Sequence, residues 1–460
     1  MQRNTPLVIS ILFLLLFAIW APLVASGYSE LKQAGVSQTY PEVAQHYKTA
    51  AQRIPWRPAL YELAGHAYYY AKEYSLADAM YQKAYRRHGL SPQGWVAWGD
   101  VVYLNNDQKR AAEIWEQALG QKDPSENLYS RLSQVYKENG EYAKAADALQ
   151  RYVSLHAEDA SAHYRLGLLL TLSDPNAALS ELINASQLDP QFDPAVETLR
   201  SALNLAAIND SPSARFVLIG RGLALVQEWE LARLQFESAI EADATNAEAW
   251  AWLGEAKQQA GEDGSAELEQ AFQLDPNSAT VRGLRGLYFQ RVGNHRNALT
   301  EFQAAAVLDD QNPSWQVSIG ETYSKLGDLI LAKEAYQAAI DLAPEDPSYW
   351  RLLAIFCAQN NVNIQDVGIS AAQKAVILSK GDAPSRDVLG WLYLLNGQNE
   401  DAEKMLTRAL ELDPQNASVH LHLGMLYFQT GDRAQAYDYF VKARDLGSAD
   451  AQAILSQYFP

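Results

Sequence analysis

The sequence has very few of the residues from which redox and metal sites are built. It contains one cysteine, Cys357, in 460 residues, which excludes an internal disulfide and a Cys-x-x-Cys zinc site. The eight histidines are scattered, and His420 and His422 are two apart on a predicted helix, hence on different faces. Neither a glycine-rich phosphate loop after a predicted strand nor a Gly-x-Ser-x-Gly motif occurs. We therefore expect no enzymatic activity, no metal site and no cofactor.

Positive charge is also scarce. The chain has 37 basic and 55 acidic residues, and its formal net charge is −18. Such an acidic surface repels phosphate backbones, so nucleic acid is not expected as a partner.

What the chain does contain is a sequence pattern that returns about every 34 residues. One copy reads Leu389-Gly390, Tyr393, Gly397, Ala402, Ala409 and Asp413-Pro414, and the next reads Leu423-Gly424, Tyr427, Gly431, Ala436, Phe440 and Ala443. Self-similarity at this period predicts a helical solenoid, in which each unit contacts only its neighbours. Solenoids typically present binding surfaces and seldom carry out chemistry.

The pattern resembles the tetratricopeptide repeat, whose consensus places Leu-Gly, an aromatic, Gly, Ala, an aromatic, Ala and Pro at fixed offsets. Eleven copies can be aligned between Pro58 and Asp450. The resemblance implies an all-α fold, a right-handed superhelical solenoid of antiparallel helix pairs. It also implies that the first helix of each pair lines a concave groove.

The residue types of the pattern have physical reasons of their own. Gly390 and Gly424 fall in the middle of predicted helices, where glycine costs about 1 kcal/mol relative to alanine. We therefore expect a neighbouring helix to approach these glycines closely. Pro414 ends a second helix, because proline lacks the backbone N–H and disfavours helix in the preceding residue. Cys357 occupies a consensus core position and is expected to be inert packing.

An uncharged stretch of nineteen residues runs from Leu7 to Ala25. As a helix it spans roughly 29 Å, the thickness of a bilayer core, so we predict a transmembrane helix that anchors the chain in the membrane. Arg3 before the span favours a cytoplasmic N-terminus and extracytoplasmic repeats. Alternatively, a signal peptidase cuts after Ala25 or Ser26, and the protein is secreted or periplasmic.

The domain organisation is predicted from where the repeat period starts, breaks and ends. We predict an N-terminal anchor or uncleaved signal in 1–27, lead-in helices in 28–57, a first array of about four repeats in 58–192, an interrupting helix and turn in 193–212, a second array of about seven repeats in 213–450, and a capping helix in 451–460.

Two patches of the implied groove are candidate binding sites. The groove positions of the last two repeats include Trp391, Leu394, Leu395, Leu421, Met425 and Phe428, and those of the first two include Tyr69, Tyr70 and Tyr103. A contiguous exposed apolar area typically marks an interaction site, so the first patch is predicted to hold an extended peptide or an amphipathic helix. The alternative is that neighbouring helices cover these side chains: the final helix at the first patch and the lead-in helices at the tyrosines.

Together these features predict a membrane-anchored, non-enzymatic scaffold or adaptor that binds a partner protein. Its layout is similar to that of components of envelope or surface-polymer assembly, which is an analogy of architecture. Two alternatives remain open, a solenoid that handles a glycan or polymer and a purely structural assembly subunit. The expected partners are a protein or peptide in the groove and the membrane at the N-terminal helix, while the oligomeric state stays unknown.

Overall fold

The computed structural model describes the backbone of residues 5–121 and 124–459, and the side chains of residues 18, 20–121 and 124–459. This part of the chain is helical throughout and contains no strand, so the predicted all-α fold is confirmed there. The helices are α1 (Thr5–Ala34), α2 (Tyr40–Arg53), α3 (Ala59–Tyr70), α4 (Tyr74–Tyr85), α5 (Pro92–Leu104), α6 (Gln108–Leu119), α7 (Asn127–Glu138), α8 (Tyr142–Leu155), α9 (Ala160–Leu170), α10 (Pro175–Leu188), α11 (Asp193–Ala207), α12 (Pro212–Leu225), α13 (Trp229–Ala242), α14 (Ala247–Gln259), α15 (Ser265–Leu274), α16 (Ala279–Arg291), α17 (His295–Leu308), α18 (Pro313–Leu326), α19 (Leu329–Leu342), α20 (Pro347–Asn360), α21 (Ile369–Leu378), α22 (Ala383–Leu395), α23 (Asn399–Leu412), α24 (Ala417–Thr430), α25 (Arg433–Asp445) and α26 (Ala449–Tyr458).

The helices group into two compact units. The first comprises residues 1–209 and 218–234, and the second comprises residues 210–217 and 235–460. Within the first unit, consecutive helices from α1 to α10 pack as five pairs, and α11 packs on α10. Within the second, consecutive helices from α14 to α25 pack as six pairs, and α26 packs on α25. Each unit is therefore a stack of helical hairpins, while the domain boundaries proposed from the sequence remain predictions.

The glycines of the repeat lie where a neighbouring helix packs most closely. A Cβ added to Gly390 would lie 2.6 Å from Leu406 Cγ, and one added to Gly424 would lie 2.6 Å from Phe440 Cδ1. Both distances are too short for a side chain, which confirms the predicted close approach and explains why the helices keep glycine. Cys357 is fully buried in the core around α20, and burial raises the pKa of its thiol to about 11.

The N-terminal helix continues beyond the predicted membrane span and packs as part of the first unit. A Cβ added to Gly27 would lie 2.5 Å from Ile54 Cγ1, which shows how closely α1 approaches the end of α2. Glu30 accepts a hydrogen bond from Arg53 at 2.8 Å, and the ring of Trp20 stacks on that of Trp56.

The structure corrects the predicted localisation. Among the residues searched, those whose placement is described, no helix is both long enough and apolar enough to cross a membrane. The predicted single-pass membrane localisation is therefore wrong, and the N-terminal anchor is not supported. The physical reason lies in the described half of α1, which carries polar residues and packs against α2 as a repeat helix does. The side chains of residues 7–17 and 19, within the predicted span, lie outside the described part of the chain.

Candidate functional site

The first helices of three consecutive hairpins, together with α26, border an open cleft in the second unit. We call it the C-terminal cleft; its volume is about 900 Å³. The hairpin helices are α20, α22 and α24, and α22 packs against each of the other two. Apolar side chains from all four helices form its wall: Ile355, Val388, Trp391, Leu421, Met425 and Ile454.

A buried carboxylate organises the polar side of the cleft. Asp387 is only 5% exposed, yet its two oxygens are satisfied, since Ser418 Oγ donates to one at 2.6 Å and His422 Nδ1 lies 2.7 Å from the other. The ring of His422 in turn stacks on that of Trp391, with centroids 4.8 Å apart and planes inclined by 13°. Because a buried charge is stable only when it is hydrogen-bonded, this network holds the Trp391 ring in a defined orientation at the cleft wall.

Charged side chains of both signs also line the cleft. Arg351 is weakly held, because its Nη1 lies 3.6 Å from Asp382 Oδ2 and 3.4 Å from Ser385 Oγ. Asp450 is exposed in the first turn of α26. A pair as long as that of Arg351 with Asp382 contributes little to stability, so the guanidinium can turn towards a ligand.

The structure places the six predicted residues of the C-terminal patch in different environments. Trp391, Leu421 and Met425 lie together on the cleft wall. Leu395 is exposed but does not line the cleft. Leu394 is 2% exposed and belongs to the core between hairpins, so it cannot contact a ligand.

Phe428, the sixth residue, is covered by the C-terminal segment. Its ring lies 5.3 Å from that of Tyr458, 5.8 Å from that of Phe459 and 6.4 Å from that of Phe440. The guanidinium of Arg433 lies over its face. The final helix therefore covers this residue, as the alternative interpretation of the patch expected, while leaving the wall around Trp391 open.

The sequence prediction missed the cleft residues contributed by α20 and α26. Arg351, Ile355 and Gln359 line the cleft from α20. They have the same spacing as Asp387, Trp391 and Leu395 one repeat later, so the groove rule applied to this repeat would have found them. Ile454 has no such signal, because α26 lies beyond the last repeat.

The tyrosines of the first repeats line a smaller cavity of about 270 Å³ in the first unit. Tyr69 and Tyr103 border it together with Asp100 and Arg131. Arg131 donates to both Asp100 oxygens, at 2.5 and 3.0 Å. Tyr103 donates to Glu138 at 2.6 Å, and this hydrogen bond raises the pKa of the phenol. The polar groups of this cavity are thus paired with one another.

Tyr70 does not line that cavity. It is 62% exposed, and its ring lies 5.5 Å from that of Tyr69 and 5.3 Å from that of Tyr40, the first residue of α2. The lead-in helix therefore touches one edge of the tyrosine cluster but leaves Tyr70 exposed.

Comparison with known proteins identifies the repeats. Models of the tetratricopeptide repeat match residues 63–127, 131–193, 316–346 and 393–458. These segments of the chain are tetratricopeptide repeats. The last matched segment includes α24 and α26, so part of the C-terminal cleft is built from recognised repeats.

Similar proteins also include much longer chains. A CTR9 homolog of Arabidopsis thaliana is 26% identical over 52% of this chain and 23% of its own length, and human superkiller complex protein 3 is 23% identical over 66% of this chain and 19% of its own length. This chain thus spans about a fifth of the length of these relatives. Among solved structures, yeast Tom70 has a TM-score of 0.43 at 15% identity, covering 80% of this chain and 94% of Tom70, too distant a likeness to support an argument.

Proposed function

We propose that this tetratricopeptide repeat protein is a scaffold whose C-terminal cleft binds an extended segment of a partner protein. The observation that carries the proposal is the open wall formed by Trp391, Leu421 and Met425. These three side chains are half-buried and converge on one open concave surface, and apolar surfaces of this kind release water on binding and typically serve as interaction sites.

We propose an extended segment as the occupant of the cleft. An extended chain is thinner than an α-helix, which is about 10 Å wide, and it can contact the three first helices within a volume of about 900 Å³.

The polar groups of the cleft suit a peptide backbone. Gln359 is exposed, and its amide makes no hydrogen bond to the described residues, so it can both donate to a peptide carbonyl and accept from a peptide N–H. Arg351 can pair with a carboxylate of the ligand. We therefore expect the bound segment to place a large apolar side chain on Trp391 and an acidic group towards α20.

The relatives give the proposal its wider context. Superkiller complex protein 3 is by its name a member of a complex, which is consistent with a scaffold role for this chain. The narrower idea of envelope or surface-polymer assembly depended on the membrane anchor, so the proposal is confined to partner-protein binding.

The test begins with selection of peptides from a random-sequence display library on the full chain. The selected peptides are then titrated by fluorescence anisotropy against wild type, Leu421→Glu and Ile330→Glu. Ile330 is 73% exposed on α19 and does not line the cleft, so it is a matched control for the added charge. We expect Leu421→Glu to weaken binding about tenfold or more, because a charge on the apolar wall must be desolvated on binding.

Two results would contradict the proposal. The first is a failure to enrich any peptide, which would favour a purely structural subunit. The second is equal affinity of the selected peptides for wild type and Leu421→Glu, which would place the binding site elsewhere. In the titrations, Ile330→Glu must bind the selected peptides as tightly as the wild type does, since its added charge lies outside the cleft.

A further inference from the structure

The first unit contains a small, partly open cavity that plays no part in the proposed function. Its volume is about 150 Å³, and it is bordered by α7, α9 and the residues at the start of α13. Its polar lining includes Ser133, Lys137, Arg165 and Glu228, and leucines form the rest of the wall. All of these residues belong to the same unit.

The charges of this cavity do not balance. Lys137 Nζ lies 3.4 Å from Glu228 Oε2, so these two charges compensate each other. The guanidinium of Arg165 forms no ion pair or hydrogen bond with the part of the chain that the structure describes. It lies against Leu168 and Leu169, in a chain whose net charge is −18. Arg165 is half-buried, and its guanidinium can form a charge-assisted hydrogen bond with an anion that enters the cavity.

A buried residue adds a hydrogen-bond donor to the cavity. Ser133 is 1% exposed, lines the cavity and makes no side-chain hydrogen bond to any described residue. Its partner is therefore a water molecule or a ligand oxygen in the cavity. The hydroxyl can donate to an anionic oxygen that Arg165 attracts.

The size of the cavity limits what it can hold. A water molecule occupies about 30 Å³ in the liquid, so the cavity has the volume of about five waters. A phosphate ion or a carboxylate group is of this size, whereas a nucleotide is not.

We propose that this cavity is an oxyanion site, which binds a phosphate or carboxylate between Arg165 and Lys137 with Ser133 as a further hydrogen-bond donor. Both ligands offer the same chemistry, a compact group of negatively charged oxygens. Glu228 opposes binding, because it is the one acidic side chain in the lining. The repulsion between Glu228 and the anion is partly offset by the ion pair of Glu228 with Lys137.

The experiment measures the heat of binding of sodium phosphate and, separately, of sodium acetate to the full chain in low-chloride buffer. We expect saturable binding of at least one anion, weakened about tenfold or more in Arg165→Gln, since a charge-assisted hydrogen bond is lost. The matched control is Arg151→Gln, because Arg151 is exposed on α8 and does not line the cavity. The anion that binds more tightly identifies the natural ligand as phosphate-like or carboxylate-like.

A second variant is expected to act in the opposite direction. Glu228→Gln removes the repelling charge and should tighten anion binding, a gain that misfolding cannot produce. The proposal is overturned if neither salt binds the wild type saturably, if Arg165→Gln and Arg151→Gln lose affinity equally, or if Glu228→Gln weakens binding.

Discussion

The C-terminal cleft and the tyrosine cavity arise from the same groove positions of the repeat, yet they differ in what surrounds them. In the cleft, Trp391 and Leu421 form an open apolar wall, and the polar atoms of Asp387 are satisfied beneath it. In the tyrosine cavity, Tyr103 is bonded to Glu138, and α2 packs beside Tyr70. The cleft also has about three times the volume, 900 Å³ against 270 Å³.

This difference teaches that a repeat position specifies the direction of a side chain but not its exposure. Exposure depends on elements outside the repeat, which are α26 at one end and α2 at the other. Phe428 has the groove position of a ligand contact and instead anchors the final helix. Leu421, on the same helix, is half-buried and lines the cleft.

The largest effect should come from removing the residue that α26 covers. Phe428→Ala is expected to destabilise the C-terminal hairpin by about 2–4 kcal/mol, because a large aromatic is lost from a packed cluster. Leu421→Ala, at a half-buried position of the cleft wall, should destabilise it less, by about 1–2 kcal/mol. Urea unfolding of the full chain gives the free energy of unfolding of each variant, and hydrogen exchange in α25 and α26 shows whether the loss lies in the C-terminal hairpin. Equal losses of stability would mean that the two residues are equally covered.

A smaller effect is expected from the buried carboxylate of the cleft. Asp387→Asn should destabilise the second unit by about 1–3 kcal/mol, because the charge-assisted hydrogen bonds from Ser418 and His422 weaken. Asp450→Asn, an exposed acidic residue of the same cleft, should change stability by no more than about 0.5 kcal/mol. Thermal unfolding of both variants measures the difference. If Asp387→Asn is as neutral as Asp450→Asn, the network does not hold the cleft wall.

The smallest effect concerns pH at the tyrosine end. Burial raises the pKa of Glu62, but hydrogen bonds involving His66 and Ser91 outweigh it, so the net pKa is lowered from 4.5. A lowered folded-state pKa stabilises the fold fully above the unfolded value, and this contribution is lost as the pH falls through the folded value. The protection factors of amides in α3 and α5, which are exchange rates corrected for the intrinsic pH dependence of amide exchange, should therefore decrease as the pH falls from about 5 to about 3.

The control for this pH dependence is Glu62→Gln, which removes the titrating group but keeps its shape. The protection factors of its amides in α3 and α5 should change less over the same pH range than those of the wild type. An identical pH profile in the two proteins would show that Glu62 does not tie α3 to the start of α5.

Much of the fold was predictable because each repeat contact is local in sequence. The spacing of Gly424 and Phe440 placed the closest helix contact correctly, and Pro414 marked the end of a helix. The N-terminal segment was predicted wrongly because hydropathy describes one segment in isolation. It carries no information on whether the following residues, such as Gly27, pack on another helix.

The candidate sites were predictable only in part. The groove rule found Trp391, Leu421 and Met425, but it also selected Leu394, which the adjoining hairpin buries. The cavity proposed to bind an oxyanion had no signal in the sequence, since Arg165 and Glu228 are far apart in the chain. Contacts between segments that are distant in the sequence therefore determine which of these residues are accessible to a ligand, and the repeat pattern does not specify these contacts.

The most direct test of the central claim is hydrogen–deuterium exchange of the full chain with and without a peptide selected on it. We predict that the peptide slows exchange in α22 and α24, on the wall that carries Trp391 and Leu421, and leaves α3 and α5 unchanged. Slowed exchange in α3 and α5 with none in α22 and α24 would contradict the claim and move the binding site to the tyrosine cavity.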